Sequence, residues 1–511
     1  MSRFMQMGPG VRARGGYPQL HQRTEAGRVL GWVAALVAVI ALAVGAYVVV
    51  SPSDPLSVLD PSPDPPSASG PGDAPSDESP TGEEPAQPAI TLPEVPDPDP
   101  VLTPTLTSPV RAGALRSAVG AELRSPRLGN YLGFAVAQLG SDELLMSAGT
   151  RQTVTPASTT KLLTAMTALH LLGPEHRFVT QVVEGRDARQ VVLVGGGDPL
   201  LTDRRLTPAD RSAAYPPVAT LQALATMTAD RLRTAGVRRV SVGFDDSLFE
   251  GPAVNPRWEP SYIPDSVVSP ISALWVDEGR ETRGLALRVS DPAQVAADRF
   301  ASLLAEQGVD VRTPVTRVRA AASARALAAA KSAPLRQLVQ HTLEISDNEA
   351  AEVLLRHAAV AAGRRGTATA GVQVVSNTLA DLGVRLQGAR LYDGSGLSRD
   401  NRLPVQSLVD VLQVAADPEQ PRLRAVISTL PVAGFSGSLA YRFAREPAGL
   451  GLVRAKTGTL TGVHGLAGVA LTRRGHLVVF AAVADRVPVP KTYAARDQLD
   501  RIAGALSSCR C

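Results

Sequence analysis

Residues 155–173 run TPASTTKLLTAMTALHLLG, a helix with its own start and stop signals. Thr155 suits an N-cap, Pro156 the first helical position, where an N–H is not needed, and Gly173 the stop. Leu162, Leu163, Met166, Leu169 and Leu172 recur at helical spacing, which predicts one apolar face. Ser158 and Lys161 are three residues apart and share a face of the first turn. Unbonded N–H groups and the helix dipole favour a developing negative charge there. A lysine one turn from a hydroxyl can accept its proton if burial or a neighbouring cation lowers the lysine pKa. Taken alone, S-x-x-K is also an ordinary exposed helix start.

Two more short motifs follow in order. Ser346-Asp347-Asn348 precedes the helical run AAEVLLRHAAVAA, and Ser346 with Glu349 fits a capping box. The same placement would aim Ser346 and Asn348 from the helix end towards Lys161. Lys456-Thr457-Gly458-Thr459 closes a strand before a turn. It offers a cation and two hydroxyls for a carboxylate, with Gly458 allowing close approach of a substrate backbone; the plain alternative is a polar strand end. VRAKTGT, HGLAGVALT and HLVVFAAVA, between Val453 and Ala484, read as an antiparallel meander. Ala114 to Leu123 reads as a helix, and Leu132 to Gln138 with Glu143 to Ser147 as a strand pair. Residues 181–330 alternate strand-like runs (Val191–Val194, Val240–Phe244, Leu285–Val289) with helical ones (Leu221–Leu232, Ala293–Gln307), as an α/β insert would.

The chain has 511 residues, of which 44% are apolar, so a wholly disordered protein is excluded. Val29–Val50, 22 residues without a charge, can span a hydrocarbon core of ~30 Å. Five arginines and one glutamate lie in residues 1–50, whereas residues 51–110 hold eleven acids and no Lys or Arg. That asymmetry predicts a cytoplasmic tail (1–28), an uncleaved anchor (29–50) and everything beyond it exported at the cell membrane. Secretion after signal-peptide cleavage is the alternative, with Ala41-Leu42-Ala43 as the candidate site. Residues 51–108 carry 16 of the 41 prolines and read as a disordered, self-repelling linker of up to ~180 Å. The folded part then divides into 109–180, the insert (181–330) and 331–505. Aromatics total 4% and no basic block carries them, which disfavours nucleic acid. Cys509 and Cys511 exclude a disulfide framework, a Cys-rich zinc site and a core cysteine nucleophile; close in sequence, they are expected unpaired in a frayed tail.

The ordered set S-x-x-K, S-D-N, K-T-G is the signature of penicillin-recognising serine enzymes. With Val194-Gly195-Gly196-Gly197-Asp198-Pro199, Ser269 to Leu274, Asp393-Gly394-Ser395-Gly396-Leu397-Ser398 and Leu430-Pro431-Val432-Ala433-Gly434, it resembles the class C low-molecular-mass penicillin-binding proteins, the D-alanyl-D-alanine carboxypeptidase/endopeptidases. The resemblance runs from about residue 110 to 500. Ser158 and Ser346 are 188 residues apart, unlike the compact class A β-lactamases. The resemblance implies an α/β (α+β) fold: a β-lactamase/transpeptidase-like antiparallel sheet with flanking helices, interrupted by the inserted domain. It implies Ser158 as nucleophile, Lys161 as base, Ser346 as proton carrier and Asn348 as positioner. Lys456, Thr457, Gly458 and Thr459 would hold the substrate carboxylate, and the backbone N–H groups of Ser158 and Thr459 the oxyanion. The substrate would be a peptidoglycan stem peptide ending in D-Ala-D-Ala, with DD-endopeptidase action as a second activity and β-lactams as covalent inhibitors. No cofactor or metal is implied, and oligomeric state is left open.

Other chemistries fit less well. No G-x-S-x-G elbow supports a Ser-His-Asp triad. His341 and His357 read as solvated or capping, and His464 as a structural turn residue close after the third motif, with lining of the cleft as the lesser alternative. Gly195-Gly196-Gly197-Asp198 lacks the Lys-Ser/Thr of a phosphate loop, and Asp393 to Gly396 reads as a turn that shapes the site. A β-lactam-degrading enzyme and a catalytically weak wall-binding module remain as competing functions.

Overall fold

The structure, a computed structural model, describes residues 109–511 apart from Arg151, Arg283 and Gly284. The expected tail, anchor and linker (1–108) lie outside the described residues. Among the described residues no helix is long and apolar enough to cross a membrane.

Strands apolar on both sides need cover on both faces. Those of the first sheet are β1 (Tyr131–Gln138), β2 (Leu144–Ala148), β8 (Val453–Leu460), β9 (Val463–Leu471) and β10 (Leu477–Asp485). They run in the order β8-β9-β10-β1-β2, antiparallel throughout. Phe134 and Val136 of β1 enter a core shared with helices α1 (Ala112–Leu123) and α9 (Thr492–Ser508). Ala135 and Ala137 enter the opposite core, built on α2 (Lys161–Leu172), α5 (Leu335–Glu344), α6 (Asn348–Ala361), α7 (Ala368–Asp381) and α8 (Val405–Ala416).

Helix α2 is more buried than its sequence pattern predicts. Every residue from Lys161 to Leu169 is buried, not one face only, because α5, α6, α7 and α8 surround it. Its threonines tolerate this by bonding inward: Thr164 Oγ1 donates to Gly394 O (2.8 Å) and Thr167 Oγ1 to Leu163 O (3.0 Å). Gly173 ends the helix at φ 83°, as expected. Thr155 does not cap it. Its hydroxyl accepts from Arg402 Nη1 (3.1 Å), and a 3₁₀ turn over Ala157–Thr160 precedes the α-helix instead.

A second sheet lies within residues 179–331: β3 (Val179–Glu184), β4 (Gln190–Val194), β5 (Arg239–Asp245), β6 (Asp310–Arg317) and β7 (Ala326–Lys331), ordered β6-β5-β4-β3-β7. The β4–β5 and β5–β6 pairs are parallel and the others antiparallel. Helices α3 (Leu221–Thr234) and α4 (Pro292–Glu306) cover it, and Leu193, Val242, Phe244, Leu224 and Phe300 share its own core. Both helices start on a capping side chain, Thr220 and Asp291.

Two expectations fail here. Leu285–Val289 is not a strand: Arg288 makes a single bridge to Arg280, and Leu285 and Leu287 face solvent. Apolar content without a pairing edge does not make a strand. Nor is the C-terminus frayed. Cys509 and Cys511 form a disulfide, both are buried in the α1/α9 core, and Cys509 O accepts from Arg473 N (3.1 Å).

Candidate active site

The 3₁₀ turn before α2 sets the geometry. Residues i and i+3 eclipse in such a turn, so Ser158 sits above Lys161, and Lys161 Nζ lies 3.1 Å from Ser158 Oγ. Ala157, just before the serine, holds φ 48°, a left-handed conformation uncommon for a residue with a side chain. Thr159 and Thr160 hydroxyls donate to Pro156 O (2.6 Å) and Ala157 O (2.9 Å) and brace the turn.

Lys161 is fully buried, and its Nζ also donates to Asn348 Oδ1 (2.8 Å) and Ser395 O (2.7 Å). Burial lowers its pKa to about 8, opposed by the carboxylates of Asp393, Asp347, Glu352 and Glu349. Lys456 is equally buried; its Nζ reaches Ser346 Oγ (2.8 Å) and Thr457 O (3.0 Å). Its pKa falls well below the ordinary lysine value, by burial first and by the Lys161 charge second. Thus Ser158, Lys161 and Asn348 form one hydrogen-bonded group, and Ser346 with Lys456 a second. Thr457 Oγ1 donates to Ser438 Oγ (2.9 Å), Thr459 is exposed, and Gly458 lies against the serine turn, where a Cβ would come 2.9 Å from Pro156 O.

The S-D-N segment is held otherwise than its sequence predicts. Asp347, not Ser346, is the N-cap of α6, accepting from Ala350 N (2.9 Å). Ser346 stands at φ 64°, outside the helix, and is thereby turned to Lys456. The second Asp347 oxygen meets His341 Nε2 at 3.0 Å, and the Asp347 pKa is held down at about 2, hydrogen bonding and the His341 charge outweighing burial. Glu278, bonded to Arg280, completes this brace; burial and the nearby Asp347 push its pKa up to about 9. His341, Asp347 and Glu278 bring one ligand-type atom each within 4.8 Å, but Arg280 and the helix cap already engage the two carboxylates.

The Asp-Gly-Ser-Gly turn shapes the site as expected. Asp393 accepts from Gly396 N, Ser398 N, Asn401 Nδ2 and Trp258 Nε1, which fixes the loop that presents Ser395 O to Lys161. Gly396, at φ 86°, is required there, because a Cβ would stand 1.8 Å from Ala157 O. His357 departs from expectation, whereas His464 is structural as expected, though in a strand rather than a turn. His357 is buried, stacked on Phe178 at 3.7 Å between centroids, with Nε2 2.9 Å from Gly197 O. His464 is buried on β9, on the side of Leu466 and α9; burial and the charges of Arg496 and Arg442 lower its pKa to about 4. Both are interior packing residues.

The D-Ala-D-Ala carboxypeptidase 3 (S13) family matches residues 115–283 and 280–506. The chain belongs to that family. It is 36% identical over 431 residues to the carboxypeptidase Rv3627c of Mycobacterium tuberculosis, covering 83% of this chain and 89% of that protein. It is 33% identical over 435 residues to carboxypeptidase DacB of Mycolicibacterium smegmatis, covering 83% and 91%. Penicillin binding protein 4 (dacB) from Haemophilus influenzae shares the fold, with a TM-score of 0.61 at 19% identity over 77% of this chain and 98% of that one. The S13 match spans both sheets. Outside the three motifs, sequence reasoning missed Glu352, Ser438 and the His341–Glu278 brace; only Glu352, one helical turn beyond Asn348, left a signal in the spacing.

Proposed function

We propose that Ser158 is the nucleophile of this serine-type D-Ala-D-Ala carboxypeptidase and that Lys161 is its base. One observation carries this reading. Lys161 Nζ has two partners that can only accept, Asn348 Oδ1 and Ser395 O, and a third, Ser158 Oγ, that can give a proton. A neutral amine has two N–H groups and one lone pair, so the two acceptors take the hydrogens and the lone pair faces the serine hydroxyl.

The Ser158 proton passes to Nζ as Oγ bonds to the carbonyl carbon of the penultimate D-Ala. The backbone N–H groups of Ser158 and Thr459 hold the oxyanion. The C–N bond then breaks, and the proton reaches the departing D-Ala amine through Ser346 Oγ, which Lys456 supports from behind. Water, deprotonated by Lys161, cleaves the acyl ester and frees Ser158. Thr457 and Thr459 present hydroxyls to the terminal carboxylate, and Gly458 admits the substrate backbone. Lys456 is enclosed, its amine held by Ser346 Oγ and Thr457 O. A β-lactam would acylate Ser158 by the same steps, but its amine stays tethered and blocks the water.

Residues 29–50 would anchor the enzyme with its catalytic part outside the cytoplasm, facing the peptidoglycan stem peptides. The test is release of D-Ala from a stem pentapeptide and from purified sacculi, with products identified by mass. The reading expects D-Ala from the wild type and none from Ser158→Ala; release of D-Ala by Ser158→Ala at the wild-type rate overturns it. Cleaved cross-links in the sacculus digest would add endopeptidase action.

A further inference from the structure

Resting on the assignment of Ser158 and Lys161 above, a carboxylate outside the three motifs controls the base. Glu352 is fully buried on α6, four residues after Asn348 and on the same face of the helix. Its Oε1 accepts three hydrogen bonds: from Gly394 N (2.9 Å), Ser395 N (2.8 Å) and Ser395 Oγ (2.7 Å). These clamp residue 395 so that its carbonyl points at Lys161 Nζ, 2.7 Å away. Asn348 is fixed in turn, since its Nδ2 donates to Val267 O (2.9 Å) and so leaves Oδ1 for the same amine. One helix therefore sets both acceptors, and the two acceptors set where the lone pair points. We propose that Glu352 is a positioning residue for acyl transfer, holding the Ser395 carbonyl that turns the Lys161 lone pair onto the Ser158 hydroxyl.

A purely structural residue explains this placement poorly. Burying a carboxylate is costly unless it is paired, and Glu352 Oε2 has no hydrogen-bond partner among the described residues. The cation beside it, Arg356, stands 3.9 Å away. Burial and the Asp393 charge raise the Glu352 pKa to about 7. Its carboxylate stabilises the Lys161 charge together with those of Asp393, Asp347 and Glu349. The Lys161 charge in turn lowers the pKa of Lys456 on β8.

The test compares penicillin acylation of the full-length wild type and Glu352→Met, which has neither the carboxylate nor its accepting oxygen, as a function of pH, alongside melting temperature. With the carboxylate gone, the rate plateau should fall about tenfold or more. The midpoint of the rise should move down by about half a pH unit or more, since one carboxylate facing Lys161 has been removed. Loss of rate only in proportion to loss of folded protein, with an unmoved midpoint, overturns the proposal; so does a wild-type plateau. If Glu352→Met does not fold, Ser395→Ala is read instead. It removes one of the three bonds but keeps the carboxylate, so the plateau should fall several-fold at an unchanged midpoint, and an unchanged plateau overturns the proposal. Wild-type protein that is never acylated at Ser158 would instead refute the assignment on which the proposal rests.

Discussion

Replacing Lys161 by arginine tests the base through its energetics. Burial takes the Lys161 pKa from 10.5 to about 8, a difference worth about 3 kcal/mol. At pH 7 that makes about a tenth of the lysine neutral, against roughly 3 in 10,000 for an unshifted one, a gain of about 300-fold in competent enzyme. Deprotonation accompanies rising pH, so acylation of the wild type should climb about tenfold per unit below pH 8 and level off above it. Arginine keeps the charge and cannot lose the proton at any accessible pH, so Lys161→Arg should acylate at least about 300-fold more slowly at pH 7 and show no rise towards pH 9. Stopped-flow fluorescence with a labelled penicillin, from pH 6 to 9.5, measures both curves. A flat wild-type profile, or a Lys161→Arg enzyme with the wild-type rate, would refute the reasoning.

Three further outcomes are expected. Gly396→Ala places a Cβ 1.8 Å from Ala157 O at φ 86°; it should destabilise by about 1–3 kcal/mol and slow acylation up to about a hundredfold, read by denaturant melts and penicillin labelling. Lys456→Met removes the partner of Ser346 Oγ and should slow acylation by about a hundredfold while the melting temperature changes little, since methionine fills the same buried volume. His357 is held neutral in the fold, its pKa lowered from 6.5 to about 4 by burial, so unfolding takes up a proton between those values. Stability should therefore be full above pH 6.5 and fall by about 3 kcal/mol as pH drops to 4; a His357→Gln protein should show a shallower decline in urea titrations at pH 4.5 and 7.

The three motifs were legible because each is a local run whose spacing is set by one turn or one strand end. Ser158 with Lys161, and Lys456 with the hydroxyls of Thr457 and Thr459, required no knowledge of tertiary contacts. The long apolar strands β9 and β10 were legible as continuous apolar runs bounded by turn signals, and AAEVLLRHAAVAA as a helix by its length. What failed depends on distant partners. Ser346 and Glu349 satisfy the capping-box pattern, but the Lys456 amine draws Ser346 out and Asp347 takes the cap. The strand β7, ALAAAK, has low β-propensity and forms because β3 offers an edge. Helix α9 lacks a capping side chain at its start, so nothing local announces it. Glu352 and Ser395 are brought together by the packing of α6 on the loop after α7, a contact that no local pattern encodes.

Mass-spectrometric peptide mapping of the protein after brief exposure to a labelled penicillin tests the central claim most directly. The account predicts one adduct, on the Ser158 Oγ, absent from Ser158→Ala. An adduct on Ser346 or any other residue, or undiminished labelling of Ser158→Ala, would contradict it.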